Sequence, residues 1–88
     1  MTYRVEFRPK AARFLERMAE PDRGRTLRRI EALERDPRPA GIQKVQGTDY
    51  CRLRSGDYRV VYRIEDDALW VLVIRVGHRK DVYRKMGD

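Results

Sequence analysis

Tyr50-Cys51-Arg52-Leu53-Arg54-Ser55-Gly56-Asp57-Tyr58-Arg59-Val60-Val61-Tyr62-Arg63-Ile64-Glu65 is the segment whose reading decides the fold. Side chains on a strand alternate between faces with period two. Cys51 and Leu53 therefore share one face, and Tyr50, Arg52 and Arg54 share the other. Ser55-Gly56-Asp57 has turn chemistry, after which Tyr58, Val60, Tyr62 and Ile64 alternate with Arg59, Val61 and Arg63. Two period-two runs around a glycine-bearing turn predict strands over Asp49–Arg54 and Asp57–Glu65, paired as a hairpin. An acidic turn, Glu65-Asp66-Asp67-Ala68, leads into Leu69–Val76, which is apolar on both parities and so reads as a central strand covered on two sides.

Working outward from that block, Thr2–Arg8 alternates Tyr3, Val5 and Phe7 with polar residues, the pattern of a half-buried strand. Pro9 stops it and suits the first position of a helix. Ala11, Phe14, Leu15 and Met18 then recur at three- and four-residue steps in an amphipathic helix that ends before Pro21. Asp22 is expected to cap a second helix with a stripe of Leu27, Ile30 and Leu33, closed by Asp36-Pro37-Arg38-Pro39. Gly41–Gly47 is a connection holding a short extended piece at Gln43–Val45, and the tail from Arg79 to Met86 is expected to close the chain as a short helical or irregular segment. The order β-α-α-β-β-β over residues 1–88 predicts a single α+β domain, a helical hairpin packed on one face of a mainly antiparallel sheet. If Cys51 and Leu53 meet the helices, Arg52 and Arg54 line the open face, joined by Arg59 where the pairing brings its parity into phase. Trp70 is expected in the core or against the helices.

Charge then narrows the function. The 88 residues carry a net +7, and seventeen of the 21 cationic residues are arginine. Arginine presents a planar fork of donors that matches phosphate in two-point contacts and stacks on bases. A basic surface of this kind suits a polyanion, although an arginine-rich composition by itself also occurs in proteins with no such partner. One cysteine, Cys51, excludes an internal disulfide and a thiolate zinc site, and reads as a small apolar filler within its strand. The apolar run from Ala68 to Ile74 is too short to span a bilayer, and no apolar leader precedes the first strand, so a cytoplasmic protein without a membrane partner is expected.

With one histidine and one cysteine there is no paired-ligand spacing for a metal, and neither a glycine-rich phosphate loop nor a Ser–His–acid pattern stands out. No cofactor is expected. What remains is phosphodiester cleavage without metal, or no chemistry at all. RNA supplies its own nucleophile, the 2′-hydroxyl; an enzyme has to align it, take its proton, stabilise the phosphorane oxygens and protonate the 5′-oxygen. Arginine suits charge stabilisation and is a poor base. Tyr83 and His78 are the titratable groups near the cluster, and His78, just after Gly77, equally suits a hydrogen-bonded structural role.

The block from Tyr50 to Tyr62, followed by Val73-Ile74-Arg75-Val76-Gly77-His78-Arg79 and by Val82-Tyr83, resembles the RelE toxins of the RelE/ParE superfamily, and the likeness extends over the whole chain. The resemblance implies the small RelE-like fold and the toxin half of a type II toxin–antitoxin pair. It implies a ribosome-dependent endoribonuclease that cuts mRNA in the A site, without metal, by 2′-hydroxyl attack. Arg52, Arg59, Arg79 and Tyr83 match the family's catalytic positions: Arg59 on the scissile phosphate, Arg79 on the phosphate or leaving group, Tyr83 orienting the substrate base. Arg54, Lys80 and His78 are the implied supporting substrate contacts. The best-known RelE proteins carry a lysine pair where this chain has Tyr50 and Arg52, which leaves the general base open. The resemblance further implies a RelB-like antitoxin, with operator DNA bound only through the antitoxin complex. The alternative is a ParE-like inhibitor of DNA gyrase without ribonuclease activity.

Overall fold

The structure, a computed structural model that describes residues 2–79, follows the order β1 (Arg4–Phe7), α1 (Pro9–Arg17), α2 (Asp22–Ala32), β2 (Gln43–Lys44), β3 (Cys51–Ser55), β4 (Tyr58–Glu65) and β5 (Trp70–His78). The five strands form one sheet in the order β1-β5-β4-β3-β2. All neighbours are antiparallel except β1 and β5, which run parallel because the chain returns from β1 through both helices and three strands before β5 arrives beside it. The expected α+β architecture is therefore the observed one. The tail segment assigned to close the chain lies outside the described residues from Lys80 onward, and with it Tyr83. No helix among the described residues is long and apolar enough to cross a membrane.

One face of the sheet carries the core. Ala11, Leu15 and Met18 from the first helical stripe, with Ile30 and Leu33 from the second, close over Cys51, Leu53, Val60, Tyr62, Val71, Val73 and Val76. These positions follow the two periods read from the sequence. Burying one aliphatic side chain of this kind contributes roughly 1.5–3 kcal/mol. Two buried polar contacts fix the register of the layers. Thr26 and Ser55, both fully buried, share a hydrogen bond of 2.8 Å that ties α2 to the end of β3. The Tyr62 hydroxyl donates to the Pro37 carbonyl at 2.7 Å, pinning the segment after α2 to the sheet. Burial pushes the Tyr62 phenol well above its ordinary range, and it also raises the Cys51 thiol, which sits in the core as the filler anticipated.

Two expectations require correction. Asp22 does not cap α2: Pro21 occupies that position without a side-chain cap, and Asp22 sits in the first turn, where it pairs with Arg25. A carboxylate there still complements the positive end of the helix dipole. Trp70 is not in the core. It begins β5 opposite Arg4 on one side and Glu65 on the other, on the face away from the helices, and is 41% exposed. A β-bulge explains the second miss. The β4–β5 register shifts between Val61 and Tyr62, so that Val61 pairs with Arg75 and Tyr62 with Val73. The core parity of β5 thus changes from Val71 and Val73 to Val76, and Trp70 falls on the open side.

Candidate phosphate-binding face

The strand registers arrange the open face in rows across the sheet. Arg4, Trp70 and Glu65 form the first row, and Glu6, Leu72 and Arg63 the second. The third is Arg52, Val61 and Arg75; the fourth is Arg54, Arg59 and Gly77. Arg59 is therefore in phase with Arg52 and Arg54, as the parity argument required. Arg79 follows immediately: its backbone N–H donates to the Asp57 carbonyl at 2.8 Å, which holds it against the β3–β4 turn at the end of the fourth row.

The turn is built to keep that end compact. Ser55 pairs with Tyr58, leaving Gly56 and Asp57 as a two-residue connection in which Gly56 has φ of 59°. Glycine at the first turn position is what the tight hairpin turns with positive φ favour. Arg25 from α2 lies against this glycine, its Nη2 only 2.6 Å from where a Cβ would sit, so any larger residue would meet the guanidinium as well as the strained backbone.

Charge is distributed unevenly between the rows. In the first two, the arginines have carboxylate neighbours: Arg4 and Glu6 stand 3.9 Å apart, and Arg63 and Glu65 2.9 Å. In the last two rows there is no acidic residue. Arg54 lies directly opposite Arg59, a like-charge cross-strand pair that costs stability. The Arg59 guanidinium donates to the Gly56 and Tyr58 carbonyls at 3.2 and 3.1 Å, which orients it without neutralising it. Among the described residues, neither Arg54, Arg59 nor Arg75 has a carboxylate within ion-pair distance. Val61, fully buried yet outside the helix-side core, is flanked by Arg52 and Arg75, whose aliphatic stems are the adjacent side chains in its row. The row thus combines an apolar floor with cationic walls. Gly77, with no side chain, ends the row beside Arg59.

His78 takes another place. It pairs with Tyr58 on the helix-side parity, and its ring meets that of Tyr58 edge-on at 5.7 Å. Tyr58 in turn meets Phe14 of α1 edge-on at 6.1 Å. The histidine thus belongs to an aromatic stack that joins α1 to the end of the sheet, and the open face does not include it. Of the residues singled out from sequence, the structure brings together Arg52, Arg54 and Arg59 with Arg79 at their margin and separates His78 from them. Lys80 and Tyr83 lie outside the described residues. Arg75 was missed, because it stands in a run read as apolar and the bulge that turns it to the open face leaves no signature in the residue types.

Residues 5–83 match the family model described as the ParE toxin of the type II toxin–antitoxin system parDE. A 32-residue stretch, 36% of the chain, is 50% identical to Toxin RelG of Mycobacterium tuberculosis, and the match spans 37% of that protein's length. The fold superposes on the archaeal RelE–RelB complex from Pyrococcus horikoshii with a TM-score of 0.80 at 29% identity, covering 90% of this chain and 97% of that one. It superposes on the intact E. coli RelBE toxin–antitoxin complex with a TM-score of 0.75 at 28% identity, covering 86% and 95%. The chain belongs to the RelE/ParE superfamily of toxins from type II toxin–antitoxin systems.

Proposed function

We propose that the protein is an endoribonuclease that cleaves mRNA on the ribosome by attack of the 2′-hydroxyl on the adjacent phosphate, with no metal in the reaction. The observation that carries this reading is the pair of acid-free rows, in which Arg52, Arg54 and Arg59 share one open face with Arg79 at its edge. Charge that develops on phosphorane oxygens is stabilised most by donors already fixed in place. Arg59, held by two backbone carbonyls beside the side-chain-free Gly77, is assigned to the scissile phosphate. Arg52, in the next row over the apolar floor of Val61, is assigned to the same phosphate from the other side, and Arg54 to a neighbouring one. Arg79 is assigned to the leaving group. His78 is committed to its ring stack, so proton transfer and base orientation are assigned to Tyr83.

A RelB-like antitoxin is proposed as the partner, since the matched solved structures from P. horikoshii and E. coli are complexes of RelE with RelB. Acidic side chains laid across the open rows would neutralise them, and this component of binding should weaken as salt rises. Operator DNA is assigned to the complex through the antitoxin.

The test is to induce the protein, map mRNA 5′ ends by primer extension and assay gyrase supercoiling in parallel. Cuts in phase with codons are expected, with supercoiling intact. A supercoiling defect with intact mRNA would replace this reading with gyrase inhibition, the activity of ParE-like members of the superfamily.

A further inference from the structure

A further concentration of cations lies next to the open rows. A groove of about 730 Å³ runs along α1 and reaches β5 at Ile74–Val76. Lys10, Arg13 and Arg17 line it from the helix, joined by Arg8, Arg75 and Tyr50. The helical stripe has a simple origin. Lys10, Arg13 and Arg17 recur at three- and four-residue steps, while Ala11 and Leu15, on the adjoining face, are buried against the sheet. With a rise of about 1.5 Å per residue, the stripe presents cations over about 10 Å of length. Among the described residues no acidic side chain lines the groove, and none of its five cations has a carboxylate within ion-pair distance. Five like charges around one concavity raise its local potential and disfavour the free protein.

Arg75 belongs to both places. It lines the groove and ends the row of Arg52 and Val61 on the open face, so the two cationic regions are one continuous surface. Tyr50, of the same parity as Arg52, stands in the groove lining and offers an aromatic face where the two regions join. A polyanion with regular charges along its length and flat rings between them fits a cationic track with an aromatic at its bend.

We propose that this groove binds the single-stranded RNA backbone flanking the nucleotides held on the open rows, with Arg13 and Arg17 contacting phosphates, Arg75 relaying the strand between the two regions and Tyr50 stacking a base. This rests on the reading of the open rows as an RNA site. The groove acts in affinity and positioning, and takes no part in bond cleavage.

The experiment uses fluorescent RNA with 2′-O-methyl at every position, so that binding is measured where cleavage cannot occur. Two lengths are compared, about 4 and about 12 nucleotides, the range of single-strand site sizes. The longer strand should bind at least about tenfold tighter than the shorter. Arg13→Gln combined with Arg17→Gln should remove most of that difference and leave the short strand unaffected. Each single-strand phosphate contact adds about 0.7 to the slope of log affinity against log salt, so the double variant should flatten the slope for the long strand by about 1.4. Equal affinity for both lengths, or an unchanged slope in the double variant, overturns the proposal. So does a double variant that keeps its RNA affinity and loses affinity for the cognate antitoxin. That outcome would give the groove to an acidic peptide pairing beside β5, whose edge beyond Val73 has no neighbouring strand among the described residues. Length-dependent binding by a protein that cuts no mRNA would support the track and remove the nuclease reading; codon-phased cutting without length dependence would do the reverse.

Discussion

The two halves of the open sheet face are built from the same strands, and they handle arginine in opposite ways. Toward the β4–β5 turn, Arg63 has Glu65 beside it and Arg4 has Glu6. Toward the β3–β4 turn, two whole rows carry arginine without any acidic residue, and Arg54 is set against Arg59. Composition cannot explain the difference, because both halves belong to one arginine-rich chain. A half in which cations are paired is an ordinary solvated surface. A half whose rows hold no carboxylate and in which Arg54 is set against Arg59 gives up a little stability and gains affinity for phosphate. Under the proposed function, the contrast singles out one half of the face more sharply than net charge does.

The largest effect should separate the halves outright. Arg59→Ala is expected to lower toxicity and cleavage by roughly 10²–10³-fold, the size of effect seen when one fixed donor to a developing oxyanion is removed. Its unfolding free energy should stay within about 1 kcal/mol of the parent, because loss of the two carbonyl contacts is offset by relief of the opposition to Arg54. Arg63→Ala, in the paired half, should leave toxicity unchanged, since an exposed pair contributes at most about 1 kcal/mol and touches no substrate. Growth inhibition and codon-phased primer extension read both variants. If Arg63→Ala proves as damaging as Arg59→Ala, the division of the face is wrong.

Much of this was legible in the chain because the relevant signals are periodic. The hairpin, both helices, the apolar central strand and the phase of Arg52, Arg54 and Arg59 all follow from period two, period 3.6 and glycine or proline punctuation. What escaped depends on pairing between strands distant in sequence. The bulge at Val61/Tyr62 lets Trp70 and Arg75, five residues apart, share the open face, and nothing in Val73-Ile74-Arg75-Val76 announces an extra residue. The cationic stripe of α1 is hidden differently: Lys10, Arg13 and Arg17 lie beside the apolar positions that identify the helix, and only the fold sets a groove against them. The separation of His78 from the arginines also needed the register, since its parity on β5 is opposite to that of Gly77 and Arg75.

A lesion on the helix side should not distinguish the halves, which makes it the control. Tyr62→Phe removes the hydroxyl that donates to the buried Pro37 carbonyl, and it should cost about 1–3 kcal/mol of stability. Urea denaturation should show a lower midpoint with unchanged slope, and activity per folded molecule should be preserved. Loss of activity without loss of stability would place Tyr62 in the site, against its position on the helix side. A smaller change of opposite sign is expected within the basic half. Arg54→Gln relieves the like-charge opposition to Arg59 and should raise stability by about 0.2–1 kcal/mol while weakening RNA binding. A variant that loses stability instead would mean that the two arginines are already neutralised, and the contrast between the halves would lose its basis.

The smallest effect concerns how the paired end is held, and it appears only in acid. Asp66, in the turn between β4 and β5, accepts two hydrogen bonds from the Arg38 guanidinium at 3.1 and 2.8 Å and one from the Tyr3 hydroxyl at 2.7 Å. The bonds from Arg38 first, and from Tyr3 next, hold its carboxyl down at about 2, and the bond to Asp66 raises the Tyr3 phenol. A carboxylate whose folded value lies below its unfolded value of about 3.9 binds its proton more weakly in the native state. Its contribution to stability is therefore fully present above about pH 4 and is lost as the pH falls from there toward 2. Asp66→Asn should leave toxicity and cleavage at neutral pH unchanged and should flatten the stability profile between pH 4 and pH 2, measured by thermal unfolding across that range. The cluster is exposed to solvent, so the effect should also shrink as salt is added. If the Asp66→Asn profile keeps the full acid slope of the parent, the turn is held by its backbone alone, and the paired end needs no ion pair to stay in place.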